Sequence, residues 1–307
     1  MMQAETYMLI RKGGYMQKFT VDRKRAENAF RNYTMKYDAS DEKVRLKIEH
    51  TFRVSELCGK IAASEGQPES AVDLAWVMGI LHDVGRFEQL RRYGTFVDAL
   101  SVDHAQLGAD ILFGDTQDEW KRREGSIHSD TGCAQRRNTK GMIGDFLNDS
   151  SEDALIETAI RSHNLLCIDP AMSDRTRFFC NVLRDADKVD ILKVNVDFAP
   201  EDIYNTTAYE LRHCRVSEEV MQSFDSDHAI MRKLRKTPAD FIVGIISLAY
   251  ELVFQYSREE VAKQGYLGEL CRFRSEDPVT QKQFEHIQAH MQDYMKTAPG
   301  VGEEKNG

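Results

Sequence analysis

Apolar residues along this chain recur at helical spacing. Val44, Ile48, Phe52, Leu57 and Ile61 follow a repeat near 3.6 residues, and Val72, Ala75, Val77, Met78, Ile80 and Leu81 crowd the next segment. Period-2 alternation of the kind that builds half-buried strands is hard to find. The pattern predicts helices near 22–37, 42–65, 69–82, 101–113, 152–163, 175–193, 200–213, 217–233, 239–255, 257–264 and 279–296. Start signals agree. Thr237-Pro238 and Asp277-Pro278 each place a capping side chain before a proline at the first helical position, and Ser150 with Asp153 fits a capping box. The expected fold class is all-α.

The same pattern sets the organisation. A single helical domain is expected over 21–296, with an arm at 1–20, a tail at 297–307 and no internal repeat. Residues 114–149 break the periodicity. Gly114, Gly125, Gly132, Gly141 and Gly144 lie there among Arg122, Arg123, Arg136, Arg137 and Lys140. The stretch reads either as a surface insertion or as a flap offering its arginines to a polyphosphate.

Composition narrows the classes. A chain of 307 residues with a formal charge of −9 can bury a full core, and its acidic balance argues against a protein that coats nucleic acid with excess Lys and Arg. Its six cysteines show no CxxC pair and no regular spacing, so neither a zinc ribbon nor a disulfide framework is expected. Cys167 and Cys180 read as small core residues. The longest apolar block, Phe241 to Tyr250, is too short for the roughly 20 residues that span a bilayer. No signal-peptide layout opens the chain, and a cytoplasmic protein is the expectation.

Chemistry concentrates at five places. His82 and Asp83 are adjacent at the end of an apolar helix, in Gly79-Ile80-Leu81-His82-Asp83-Val84-Gly85-Arg86. Burying such a pair leaves an uncompensated charge unless a cation or a hydrogen-bond network meets it. Upstream stands His50-Thr51-Phe52-Arg53-Val54, and downstream Arg184-Asp185-Ala186-Asp187-Lys188-Val189-Asp190. The contexts Asp103-His104-Ala105-Gln106-Leu107-Gly108-Ala109 and Ile160-Arg161-Ser162-His163-Asn164 complete the set.

Together these segments resemble the HD superfamily of metal-dependent phosphohydrolases, over roughly residues 42–193. The resemblance implies a helical bundle with additional helices after 195 and a metal centre between helices. It implies that His50, His82, Asp83 and Asp187 hold one divalent ion and that His104 and His163 hold a second, with Asp83 bridging. Mn, Fe, Co, Ni, Zn and Mg all remain open for a set of imidazoles and carboxylates. Relatives of the two-metal type include HD-GYP phosphodiesterases and symmetrical dinucleoside tetraphosphate hydrolases. This chain lacks the Gly-Tyr-Pro element and has Asn164 where the HD-GYP branch has a second adjacent histidine, so a cyclic-dinucleotide phosphodiesterase is not expected.

The expected function is hydrolysis of a phosphoester or phosphoanhydride in a nucleotide-like small molecule by metal-activated water. Asp83 and Asp187 are the expected catalytic carboxylates, and Arg86 and Lys188 the candidates to grip a phosphate. Arg53 reads equally as a surface ion-pair partner, and the Tyr93-Gly94-Thr95-Phe96 turn with Ser101 and Asp103 as a pocket wall or a plain connection. His128, His213, His228, His286 and His290 read as structural. The alternatives are a one-metal nucleotidase, a non-catalytic module that binds a phosphorylated messenger, and a single-strand nuclease using the basic stretch. The helices after 195 complete the bundle, close the pocket or make a homo-oligomer interface.

Overall fold

The computed structural model describes residues 19–114, 141–199, 203 and 206–297, and among them every regular element is helical, with no strand. Helix α1 (Arg23–Thr34) begins where the Asp22 side chain accepts from the Arg25 amide, and α2 (Glu42–Ser64) begins the same way on Asp41. Helix α3 (Glu69–Leu81) has every residue from Leu74 to Leu81 buried, because α1, α2 and the later helix α8 (Asp174–Asp197) all pack on it. Each of the Leu, Val, Met and Ile side chains among them contributes about 1.5–3 kcal/mol on leaving water.

Two glycines set how closely the helices meet. A Cβ on Gly79 would lie 2.4 Å from Ser55 Cα, so α2 and α3 touch backbone to backbone. A Cβ on Gly85, in α4 (Val84–Tyr93), would lie 2.2 Å from the His104 carbonyl, at the start of α5 (His104–Phe113). Both contacts require glycine. They bring the α3–α4 junction against the middle of α2 and the first turn of α5. A short helix α6 (Ile143–Phe146) packs on α1, and α7 (Asp153–Ser162) lies against α5 and α8.

Beyond α8 come α9 (Ala208–His213), α10 (Glu218–Phe224), α11 (Pro238–Ile246), α12 (Gln255–Gln264), α13 (Tyr266–Cys271) and α14 (Pro278–Thr297). Short 3-10 turns cover Asp98–Leu100, Arg232–Leu234 and Ser247–Glu251. These later elements are bonded to α8 through buried polar groups. The Asp185 carboxylate accepts from the amides of Val253 at 2.9 Å and Phe254 at 3.0 Å.

Several expectations are corrected in detail. The Thr237 capping box with Pro238 forms as expected, and Asp277 caps α14, but Glu152, not Ser150, precedes α7 and no side chain caps it. Helix α4 was not anticipated. The expected 101–113 helix starts at His104, because Asp103 is its cap. The segments expected at 217–233 and 239–255 end as α-helices at Phe224 and Ile246 and continue in turns. Of the described cysteines, none forms a disulfide; Cys180 is buried as expected, whereas Cys167 is exposed. The Phe241–Tyr250 block contributes Ile242, Val243, Ile246, Ala249 and Tyr250 to the core. No described helix is long and apolar enough to cross a membrane. Residues 1–18 of the expected arm, 298–307 of the expected tail and 115–140, with Arg122, Arg123, His128, Arg136, Arg137 and Lys140, lie outside the described residues.

Candidate metal centre

The five helices α2, α3, α5, α7 and α8 deliver one side chain or pair each to a common point. His50 comes from the middle of α2, and His82 and Asp83 from the end of α3. His104 opens α5, His163 closes α7, and Asp187 lies midway along α8. The four histidines and Asp83 are buried. Asp187 has 16% of its side chain exposed, so the site opens to solvent on its side.

Within the centre the donors form two sets that share Asp83. In the first, His50 Nε2 lies 3.3 Å from His82 Nε2, 3.1 Å from Asp187 Oδ1 and 3.6 Å from Asp83 Oδ2. His82 Nε2 is 3.5 Å from the same Asp83 oxygen. In the second, His104 Nε2 and His163 Nε2 are 3.0 Å apart, at 3.6 and 3.8 Å from Asp83 Oδ1. One carboxylate therefore turns an oxygen toward each pair of imidazoles. The sets His50, His82, Asp83 and Asp83, His104, His163 each converge closely enough to hold an ion.

The other ring nitrogens explain the orientation. His82 Nδ1 lies 2.7 Å from the Gly79 carbonyl and His163 Nδ1 2.6 Å from the Ile160 carbonyl. Carbonyls only accept, so both Nδ1 atoms carry the proton and both Nε2 atoms of the neutral rings point their lone pairs inward. His50 Nδ1 lies 2.6 Å from Asp190 and His104 Nδ1 2.9 Å from Asp98. All four imidazoles are thus presented as Nε2 donors, which is the arrangement a divalent cation requires of this donor set.

Charge follows the same logic. Burial pushes His82 down to about 4, against the pull of Asp83 and Asp187. Burial, assisted by Arg86, takes His104 down to about 3 although Asp98 opposes it. Both rings are therefore neutral near pH 7 and able to ligate. For His50, burial and Lys47 favour the neutral ring, but bonds to Asp187 and Asp190 outweigh them and raise its pKa. Burial opposes ionisation of Asp83, yet Lys47, His82, Arg86 and His104 hold its carboxyl well below the usual range.

The surrounding groups brace this centre. Asp190 is clasped by Arg53 through Nε at 2.6 Å and Nη2 at 3.0 Å, so Arg53 supports His50 instead of serving only as a surface charge. Asp98 takes bonds from Arg86 and Gln89 at 2.9 Å, and from Arg232 of the C-terminal segment at 2.9 Å. The connection from Tyr93 to Asp103 is hence a brace: the Phe96 carbonyl accepts from Arg86 at 2.6 Å and Ser101 accepts from Gln89 at 2.9 Å.

The two cationic candidates are placed differently. Arg86 sits beside Asp83 with Nε 3.7 Å from Oδ1, and that Nε is buried with no hydrogen-bond partner. Lys188 directs Nζ to the Glu251 carbonyl at 3.2 Å, and burial brings its pKa down to about 8. A third cation was missed from sequence. Lys47 places Nζ 2.7 Å from Asp83 Oδ2. Its spacing of three residues to His50 puts both on one face of α2, a spacing that any solvated helix lysine can have.

Comparison with known families matches residues 48–192 to the HD domain. No curated protein and no solved structure matches the chain.

Proposed function

We propose, on the premise that residues 48–192 are an HD domain, that this protein is a two-metal phosphohydrolase acting on a nucleotide-like phosphoester or phosphoanhydride. The observation that carries the proposal is Asp83, whose two oxygens face two separate imidazole pairs. His50, His82 and Asp187 would hold one divalent ion and His104 and His163 the other, with Asp83 common to both. Bound there, divalent ions would lower the pKa of a shared water and neutralise phosphoryl oxygens during in-line attack.

The chain's own groups do the rest. Asp190, Asp98 and the Gly79 and Ile160 carbonyls fix the imidazoles before substrate arrives. Asp187, on the open side, orients the attacking water through its carboxylate. Arg86, with its spare Nε donor, and Lys47, at the rim of Asp83 with 14% of its side chain exposed, meet the phosphate charge. Lys188 positions α8 against Glu251.

Metal analysis of the purified protein, followed by a screen of nucleotides, dinucleoside polyphosphates and cyclic nucleotides for phosphate release, tests the assignment. Two equivalents of transition metal and turnover of at least one class are expected. A single equivalent, with turnover of phosphomonoesters untouched by His104→Ala, would instead establish a one-metal nucleotidase. Binding of nucleotides by the metal-loaded protein without turnover would identify a messenger-binding module.

A further inference from the structure

Outside this centre, α14 carries His286 and His290 four residues apart, so both imidazoles lie on one face of the helix. Opposite them the turn that follows α10 offers two carboxylates. His286 Nε2 lies 2.8 Å from Asp225 Oδ1, and His290 Nε2 lies 2.7 Å from Asp227 Oδ1. Donor atoms of Asp225, His286 and His290 all fall within 4.8 Å of one another.

Two separate ion pairs would not require this convergence, and exposed pairs of that kind contribute little. Three further observations stand beside it. Asp227 is the one non-glycine residue with positive φ among the described residues, at 58°, a conformation that aspartate tolerates better than most. The His290 ring is held against Phe224 and Tyr250, at centroid separations of 5.4 and 6.2 Å. The Tyr250 hydroxyl there is buried without a hydrogen-bond partner.

The geometry points to a surface site for a borderline divalent cation such as zinc, with His286 and His290 supplying nitrogen and Asp225 supplying oxygen. Two imidazoles and one carboxylate, with water free to take the fourth position, make a set suited to that ion. His286 and Asp225 have about half of their side chains exposed, at 52% and 49%, so the ion reaches them directly from solvent. Coordination there staples α14 to the turn after α10. It is independent of the buried centre in position and in ligands.

Zinc chloride titration of the full chain, by calorimetry, is compared with the His286→Ala/His290→Ala double variant. The variant is expected to bind one equivalent fewer while keeping the metal content and hydrolytic activity of the buried centre. Equal stoichiometry in the two proteins would overturn the site. A second measurement needs no variant and decides the matter if the variant fails to fold: diethyl pyrocarbonate labelling of the unaltered protein, mapped by mass spectrometry. Zinc should protect His286 and His290 but not His213, which pairs with Glu276 at 3.2 Å and has 36% of its side chain exposed. Equal labelling of all three with and without zinc would overturn the proposal.

Discussion

His50 and Asp190 are joined by a 2.6 Å bond between Nδ1 and Oδ2, and Arg53 grips the same carboxylate from its other side. The pair fixes the tautomer and tilt of an imidazole that lies among the centre's donors. Asp190→Asn keeps an acceptor but removes the charge that Arg53 clasps. It is expected to lower metal affinity about 10–100-fold, the usual effect of losing an outer partner. Competition against a chromophoric chelator measures it, and unchanged affinity would mean that Asp190 only packs.

Asp83 faces both imidazole pairs, so its loss should be felt at both. Asp83→Ala is expected to reduce metal content at the two positions together and to cost activity beyond the roughly hundredfold typical of outer partners. Elemental analysis and phosphate release report the two effects. Retention of both metal and turnover would place the chemistry elsewhere.

Arg232 lies in the C-terminal segment with 61% of its side chain exposed, yet it reaches Asp98, the partner of His104. An exposed bridge of this kind contributes about 0–1 kcal/mol. Arg232→Ala should therefore weaken the His104 side of the centre by no more than about fivefold, with the difference shrinking at high salt. Asp98→Ala removes the hydrogen bond itself and should cost more. Metal titrations at low and high ionic strength separate the two.

The alkaline limb of stability should carry the signature of buried thiols. Burial raises Cys180 from 9.0 to about 11, and Cys271 to about 12. A thiol raised on folding stabilises the folded state below its unfolded pKa, and this contribution is lost as pH rises toward the folded value. Over pH 9 to 11 the Cys180 contribution should fall by about 1.4 kcal/mol per pH unit. Urea melts across that range should show a shallower decline for Cys180→Ala. An unchanged slope would remove Cys180 as the cause.

The site was more legible in the sequence than the fold's details were. His50, His82, Asp83, His104, His163 and Asp187 stand in local contexts that carry information beyond residue type, and all six meet in space. Lys47 was not visible because a lysine one turn from a histidine looks like any solvated helix charge until its carboxylate partner folds against it. Lys188 misled for the converse reason: adjacency to Asp187 in sequence means a rotation of about 100° on a helix, and its ammonium meets Glu251 instead. Helix α4 escaped notice because Arg86, Glu88, Arg91 and Arg92 dilute the apolar periodicity. Glu88 is nevertheless buried, pairing within the helix with Arg91 and Arg92 and accepting from the Tyr37 hydroxyl at 3.3 Å, the last a tertiary contact that hydropathy does not encode. The helix expected at 239–255 ends sooner because the apolar run through Tyr250 continues after the backbone has left the α-helix for a 3-10 turn.

Gly79 and Gly85 bear no side chain to ligate with, yet each holds a helix crossing at a distance that no side chain permits. In a saturation-mutagenesis map of this protein, these two positions should score with the histidines while being chemically mute. Such a map ranks residues by how much they matter and is blind to why. Intolerance at Gly79 and Gly85 marks where the helices must cross, and only an assay of bound metal in the still-folded variants would separate them from the residues that carry the chemistry.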